Sequence, residues 1–284
     1  MSRDRAIVLC ADDFGLSRGI DDGILALAAR GRLTATGCMV AGPAFAADAG
    51  AVTALADRID IGLHFALTDL APLGPIPSLD AEGRAASLGR VLSRSLTGRI
   101  DYEEIAAEIG RQLDRFRAVI GRDPDFIDGH QHVHVLPGVR RALFSLYDRG
   151  VLDGRRTWLR DCREAPATIW ARGVEAPKTL FIAALAAGFG RAARARGITV
   201  NAGFGGITAF DPARFAATFP HFLERLGTRP LVMCHPADPA AAADPSDPID
   251  RARRAEYAHL ASEAFERDLA AAGVRLARMG EIAA

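Results

Sequence analysis

Apolar and polar residues alternate along the chain in short runs and longer periodic stretches. Residues 6–11 (AIVLCA) form a continuous apolar run, the pattern of a strand covered on both faces, as in a parallel sheet. Two aspartates, Asp12 and Asp13, follow it. Residues 18–30 carry Ile20, Ile24, Leu27 and Ala28 at helical spacing, and Gly31 supplies a stop. A strand is predicted over 36–40, a short helix over 45–57, and a third strand over 59–64 that ends in His64. The strongest helix signal starts at Asp101, which can cap it with Glu104 as the capping-box partner. Ile105, Ile109, Leu113, Phe116 and Ile120 give its apolar stripe, and Gly121 and Pro124 end it.

Further strands are predicted over 126–135, 157–160, 199–202, 230–235 and 274–276. Helices over 138–149, 180–196, 212–226 and 249–272 separate them. This alternation argues for an α/β fold with a parallel sheet. A length of 284 residues fits either two small domains or one α/β barrel. Residues 66–97 break the rhythm, with Pro72, Pro75 and Pro77 among glycines and then a Leu/Arg-rich stretch. Connections of that length in compact domains are usually functional.

Composition narrows the classes. The net charge is zero, which excludes binding to nucleic acid through bulk charge. Hydrophobic residues at 49% and charged residues at 25% are those of a globular chain. Cys10, Cys38, Cys162 and Cys234 are far apart without a C-x-x-C pair, against a disulfide framework or a cysteine-held zinc. Cys10, Cys38 and Cys234 read as small buried residues. The first apolar run is too short for a secretory signal, and the low-charge stretch 179–190 is too short to span a bilayer. The expected location is the cytoplasm, with no transmembrane segment.

Asp12, Asp13, His64, His130 and His235 fall at the carboxyl ends of predicted strands. In a parallel barrel those ends converge on one face. The sharpest pattern is Asp128-x-His130-x-His132-x-His134, where strand alternation puts four side chains on one face. Exposed histidines on an edge strand would be the plain alternative. Imidazole is the commonest metal ligand, and an aspartate behind it is its usual orienter. Adjacent carboxylates beside a buried strand are costly unless paired or metal-bound, although a helix cap or a solvated turn would also use them. One could bind a metal while the other stays free as a base. His64 and His235 gain weight only from this company, and His221 and His259 read as surface residues on helices.

One Asp and two His with positions left open is the layout of a catalytic metal. Such a metal lowers the pKa of its water toward ~7 and polarises a carbonyl. A nearby carboxylate can take a proton from the water, and a histidine opposite can protonate a leaving amine. Together these parts describe hydrolysis of an amide or ester. No G-x-S-x-G elbow, Walker loop or G-x-G-x-x-G after the first strand is present. Gly203-Phe204-Gly205-Gly206 marks a tight loop near the site.

Four segments, Ala11-Asp12-Asp13-Phe14-Gly15, Gly62-Leu63-His64-Phe65-x-Leu67-Thr68, Asp128-Gly129-His130-Gln131-His132-Val133-His134-x-x-Pro137 and Met233-Cys234-His235-Pro236, resemble those of the YdjC-like carbohydrate deacetylases. The resemblance runs from Ala11 to Pro236. It implies a single, irregular (β/α) barrel of the polysaccharide-deacetylase layout over the whole chain, with the insertion at about 66–100 covering the substrate. It implies removal of an acetyl group from an N-acetylated sugar, either a chito-oligosaccharide or an N-acetylglucosaminyl glycolipid. One divalent ion, zinc or magnesium, would be held by Asp13, His64 and His130. Asp12 would be the general base and His235 the acid or oxyanion-side partner. Asp128, His132, His134 and Arg160 would support the ligands or meet the substrate, with Trp158 and Asp161 in the same sugar-facing segment as Arg160. A non-catalytic metal- or sugar-binding protein on the same barrel is the alternative. A phosphoesterase would gather more carboxylates for two metals. A homo-oligomer is left open.

Overall fold

The computed structural model describes residues 5–80 and 82–282. The first half runs β1 (Arg5–Phe14), α1 (Arg18–Ala29), β2 (Ala35–Cys38), α2 (Phe45–Thr53), β3 (Asp60–Phe65), α3 (Leu88–Leu96), α4 (Tyr102–Ile120), β4 (Phe126–Gly129) and α5 (Pro137–Asp148). The second runs β5 (Trp158–Leu159), α6 (Pro166–Arg172), α7 (Ala176–Leu185), α8 (Phe189–Arg194), β6 (Phe204–Gly205), α9 (Phe215–Phe222), β7 (Leu231–Cys234), α10 (Asp250–Leu260), α11 (Glu263–Ala272) and β8 (Val274–Leu276). The sheet order is β5-β4-β3-β2-β1-β7-β6, with β8 on the first residues of β1, and the pairings are parallel. Leu159 pairs with Val200 through a lone parallel bridge, while Phe204 pairs with Leu231. Residues 199–205 therefore touch both ends of the sheet and curl it into an irregular (β/α) barrel.

β1 is the central strand, and its residues Ile7 to Ala11 are fully buried, as a run without polar alternation requires. Next to it, β2 keeps a glycine where β3 brings in His64. A Cβ on Gly37 would stand 3.1 Å from the His64 ring, so the small residue makes room for that imidazole. Asp101 caps α4 as expected, accepting from the backbone N–H groups of Glu103 and Glu104. The capping box is not closed, because Glu104 turns outward to accept from Ser78 N at 2.8 Å. Glu108 accepts from Leu73 N and Gly74 N, and Gln112 pairs with both backbone groups of Ala66. These three residues stand four apart on one face of α4 and fasten the proline-rich segment that follows β3.

Several predicted elements break where local chemistry overrides periodicity. The strand expected over 126–135 stops at Gly129 and becomes a tight 3-10 turn, His130–Val135, with Gln131 and His132 at φ 51° and 61°. The helix expected over 180–196 is interrupted between α7 and α8, where Gly188 sits at φ 79°. That over 249–272 splits at Ser262, whose hydroxyl caps α11 by accepting from Phe265 N. Residues 199–202 contribute single bridges rather than a strand. α3 and α6 were not foreseen. His259, expected on the surface, is buried against Phe215, Phe219 and Phe265. His221 is exposed as expected. All four cysteines are buried and free. Among the described residues, no helix is long and apolar enough to cross a membrane.

At the opposite end of β3, Asp60 accepts from Met279 N at 3.0 Å and from the Trp158 indole at 3.3 Å. Burial pushes its carboxyl up to about 6 from the usual 3.8. A raised carboxyl binds its proton more tightly in the folded chain. Folding stability therefore falls as pH rises from about 4 to 6, and the penalty persists above that window. Asp60→Asn keeps an acceptor oxygen and removes the charge. Its stability relative to wild type should rise by about 2 kcal/mol between pH 4 and pH 7.5 in urea unfolding. An offset that does not change with pH would contradict this.

Candidate active site

The strand ends on one face of the sheet converge on a cluster of carboxylates and imidazoles. Asp12 and Asp13 are adjacent on β1, so regular alternation would send them to opposite faces. The register between β1 and β2 shifts between Ala11 and Phe14, and Asp13 takes φ 73°. This bulge turns both carboxylates toward one cavity.

Asp13 Oδ1 lies 3.4 Å from His64 Nε2 and 3.0 Å from His130 Nδ1. Donor atoms of Asp13, His64 and His130 all lie within 4.8 Å of one another. The side of His64 away from this point is fixed by Asp128, whose Oδ1 is 2.7 Å from Nδ1. Asp128 thus orients His64 rather than His130. His130 is braced by Asp69, with Nε2 2.8 Å from Oδ2, and Gln131 donates to the same oxygen. Arg253 donates from Nη2 to Asp13 Oδ2 at 2.7 Å and is itself held through Nε by Asp247.

Asp12 forms a two-pronged pair with Arg160, at 2.7 Å to Nη1 and 2.6 Å to Nη2. Arg160 also reaches Asp128 Oδ2 at 2.5 Å, and its side chain has no exposed surface. His235 follows β7 with Nε2 4.0 Å from Asp12 Oδ2, and its backbone N–H donates to Glu256 at 2.5 Å. The remaining two motif histidines diverge at the turn after Gly129. His132 lines the cavity and packs edge-on to Phe204, with Nδ1 3.5 Å from Cys162 Sγ. His134 is buried and donates from Nε2 to the Arg160 carbonyl oxygen. The expected single face of four side chains is therefore corrected: Asp128 and His130 point into the cluster, and the other two do not.

Asp161 and Trp158 are also placed differently from the sugar-facing expectation. Trp158 stacks on Phe126 at 4.3 Å in the core. The Asp161 backbone N–H donates to Asn201. The two terminal nitrogens of Arg160 are engaged with carboxylates and with the sulfurs of Cys10 and Met233.

The charges set the protonation states. Burial would raise Asp12, but the Arg160 guanidinium and His64 outweigh it and hold the carboxyl well below the usual range. Asp13 is likewise held low, against burial, by Arg253 and His130. Burial opposes charge on His64, yet the charges of Asp128 and Asp12 push it up to about 10. His130 is raised against burial by Asp13 and Asp69. The cluster thus draws positive charge to the point between Asp13, His64 and His130. A divalent cation would supply that charge while leaving both imidazoles neutral, so this donor set fits one.

Asp12, Asp13, His64, Asp69, His130 and Arg253 line a cavity of about 930 Å³. Asp69, Arg253 and Glu256 escaped the sequence reading. Asp69 stands in the 66–97 break without a motif, and Arg253 and Glu256 look like ordinary polar positions of a charged helix.

A YdjC-like protein family model matches residues 6–271. The chain belongs to the YdjC-like family. A chitooligosaccharide deacetylase of Enterobacter sp. (strain 638) is 36% identical over 137 residues, which cover 48% of this chain and 53% of that protein. The chain thus spans about half the length of the curated relatives it matches. A structure from Enterococcus faecalis V583, named as a candidate cellobiose-phosphate cleavage protein, superposes with TM-score 0.71 at 19% identity over 99% of this YdjC-like chain and 100% of that one. A peptidoglycan N-acetylglucosamine deacetylase superposes with TM-score 0.50 at 10% identity, over 98% and 87% of the two chains. Both likenesses are of fold.

Arg160 neutralises two buried carboxylates at the heart of this YdjC-like site. Arg160→Met leaves them without a counter-charge and should destabilise the chain by about 3–5 kcal/mol at pH 7 in urea unfolding. A loss below about 1 kcal/mol would show that the carboxylates are neutralised another way.

Proposed function

We propose that the protein is a metal-dependent hydrolase that removes the acetyl group of an N-acetylated sugar. The observation that carries this reading is the convergence of Asp13, His64 and His130 at one point beside Asp12 and His235. The activity named for the curated relatives supports it. In this reading Asp13, His64 and His130 hold one divalent ion. When bound, the ion polarises the acetamide carbonyl and acidifies a water molecule. One carboxylate and two imidazoles favour zinc over magnesium by ligand type.

Asp12 is the base. Arg160 keeps it ionised and aims it, so it can take a proton from the attacking water. Burial pushes His235 down to about 4, so the ring is neutral near pH 7. Its Nδ1 is buried without a hydrogen-bond partner, which favours the tautomer protonated on Nε2, because an orphaned donor is worse than an orphaned acceptor. That Nε2–H faces the cavity and stabilises negative charge on the acyl oxygen. Asp12, which holds the proton taken from the water, returns it to the leaving amine, and its carboxylate is restored. The segment at about 66–100 covers the bound substrate, which is supported by Asp69, Leu70, Leu88 and Leu92 in the cavity wall.

Asp13→Ala, His64→Ala and His130→Ala should each abolish tight Zn²⁺ binding in calorimetry and acetate release from N-acetylated sugars. Retention of either at wild-type level would overturn the ligand set. Asp69→Asn should weaken metal binding by about 10–100-fold through loss of the His130 brace. Unchanged affinity would remove Asp69 from the site. Asp12→Asn should keep the metal and lower acetate release by about 10²–10⁴-fold. A silent substitution with full metal retention would favour a non-catalytic binding protein.

A further inference from the structure

His64 and His130 each have a carboxylate behind the ring, from Asp128 and Asp69. Among the described residues His235 has no such brace, and its Nδ1 is buried without a hydrogen-bond partner. Its ring is therefore placed by packing and by the backbone that carries it. Packing comes from Phe210, edge-on to the ring at 5.2 Å.

The backbone is held from outside the sheet. The last pair of β7 with β1 is Cys234 with Ala11, where the β1 bulge begins, and the pairing with β6 ends earlier, at Val232. His235 thus stands past the sheet ladder, and its N–H needs another acceptor. Glu256 of α10, 1% exposed, supplies it at 2.5 Å. One turn earlier on α10, the Arg253 carbonyl oxygen accepts from Ala237 N, and the Arg253 side chain donates to Asp13. One helix turn therefore grips both the outer oxygen of Asp13 and the segment that carries His235.

We infer that Glu256 is a positioning residue of the deacetylation: through the backbone N–H at the end of β7 it sets the His235 ring beside Asp12. This rests on the deacetylase reading above and extends it beyond the groups that meet the substrate. Glu256 acts as a neutral acid. It faces Asp12 and Asp13 from β1, Cys234 and His235 from β7, and Arg253 on its own helix. Burial, aided by the charges of Asp12 and Asp13, outweighs Arg253 and the His235 N–H and pushes its carboxyl up to about 8 from the usual 4.5. The other charges of the packed helices are turned elsewhere. Asp268 of α11 pairs with His259, and on α1 Asp22 pairs with Arg18 while Asp21 accepts from Gly15 N. Glu256 also lines a second cavity, of about 310 Å³, shared with Arg172, Glu175, Asp211, Arg214 and His221. Ionised, Glu256 would add a third negative charge near Asp12 and Asp13. It would oppose the negative charge that builds on the acyl oxygen next to His235.

The test uses the zinc-loaded protein and its Glu256→Leu and Glu256→Gln variants. Leucine removes the acceptor and should lower kcat by about 10–100-fold through misplacement of His235, with KM and zinc affinity little changed. Glutamine keeps an acceptor oxygen without the ionisation and should restore most of that loss at pH 7. A group titrating near pH 8 is about nine-tenths protonated at pH 7 and about one-tenth at pH 9. Wild-type kcat should therefore fall about tenfold relative to Glu256→Gln across that interval. The His235 backbone amide resonance should move with the same midpoint in wild type and stay fixed in Glu256→Gln. Wild-type kcat in Glu256→Leu, or equal alkaline decline in wild type and Glu256→Gln, would overturn the inference and leave the deacetylase reading standing. Should Glu256→Leu fail to fold by circular dichroism, the Gln comparison and the amide titration decide. An amide that titrates as expected in a protein that releases no acetate would reject the deacetylase reading and retain the Glu256–His235 coupling. An amide that does not move between pH 7 and pH 9 would overturn the inference whatever the activity.

Discussion

The site depends on one buried guanidinium. Arg160 has no exposed side-chain surface, and taking such a charge out of water is tolerable only with carboxylates in contact. Asp12 and Asp128 supply them, and each is then left with one defined task. Asp128 turns its other oxygen to His64 Nδ1, which frees Nε2 to face Asp13. Asp12 remains ionised at the edge of the cavity. His134 fixes the same arginine from behind through the Arg160 carbonyl oxygen. A single cation thereby sets the tautomer of one imidazole and the charge of the neighbouring carboxylate.

The second organising element is Arg253, which holds the outer oxygen of Asp13 and is itself anchored by Asp247. Asp247 belongs to the Ala/Asp/Pro-rich stretch before α10, which carries no pattern of its own. The barrel topology explains why the cavity is two-sided. Strand ends bring polar groups to the floor, whereas the crossover elements α3 and α7 bring the apolar surface they leave uncovered. The polar floor and the apolar wall can therefore change independently of one another.

The alternation of strand and helix was legible in the sequence because buried parallel strands read as apolar runs, as β1 and β7 do. The meeting of Asp13, His64 and His130 was legible too, since each lies at a strand end and barrel topology gathers such ends. The arrangement after Gly129 was not. Left-handed backbone at Gln131 and His132 ends the strand early, and no side-chain pattern announces a non-glycine residue with positive φ. Strand alternation therefore misplaced His132 and His134. The β1 bulge at Asp13 was hidden for the same reason. Arg160 was singled out, but its role was not legible, because its partners come from β1 and β4, far away in sequence. Asp69, Arg253 and Glu256 sit in a loop and on a helix where acidic and basic residues are commonplace, so only the folded geometry separates them from solvated surface.

In the proposed function Asp13, His64 and His130 grip one cation together. The most direct measurement is anomalous diffraction at the zinc edge from crystals grown with Zn²⁺. One strong peak is expected within bonding distance, about 2.0–2.2 Å, of a carboxylate oxygen of Asp13 and a ring nitrogen of each histidine. A peak on other residues, or saturating zinc with no peak between these three, would contradict it.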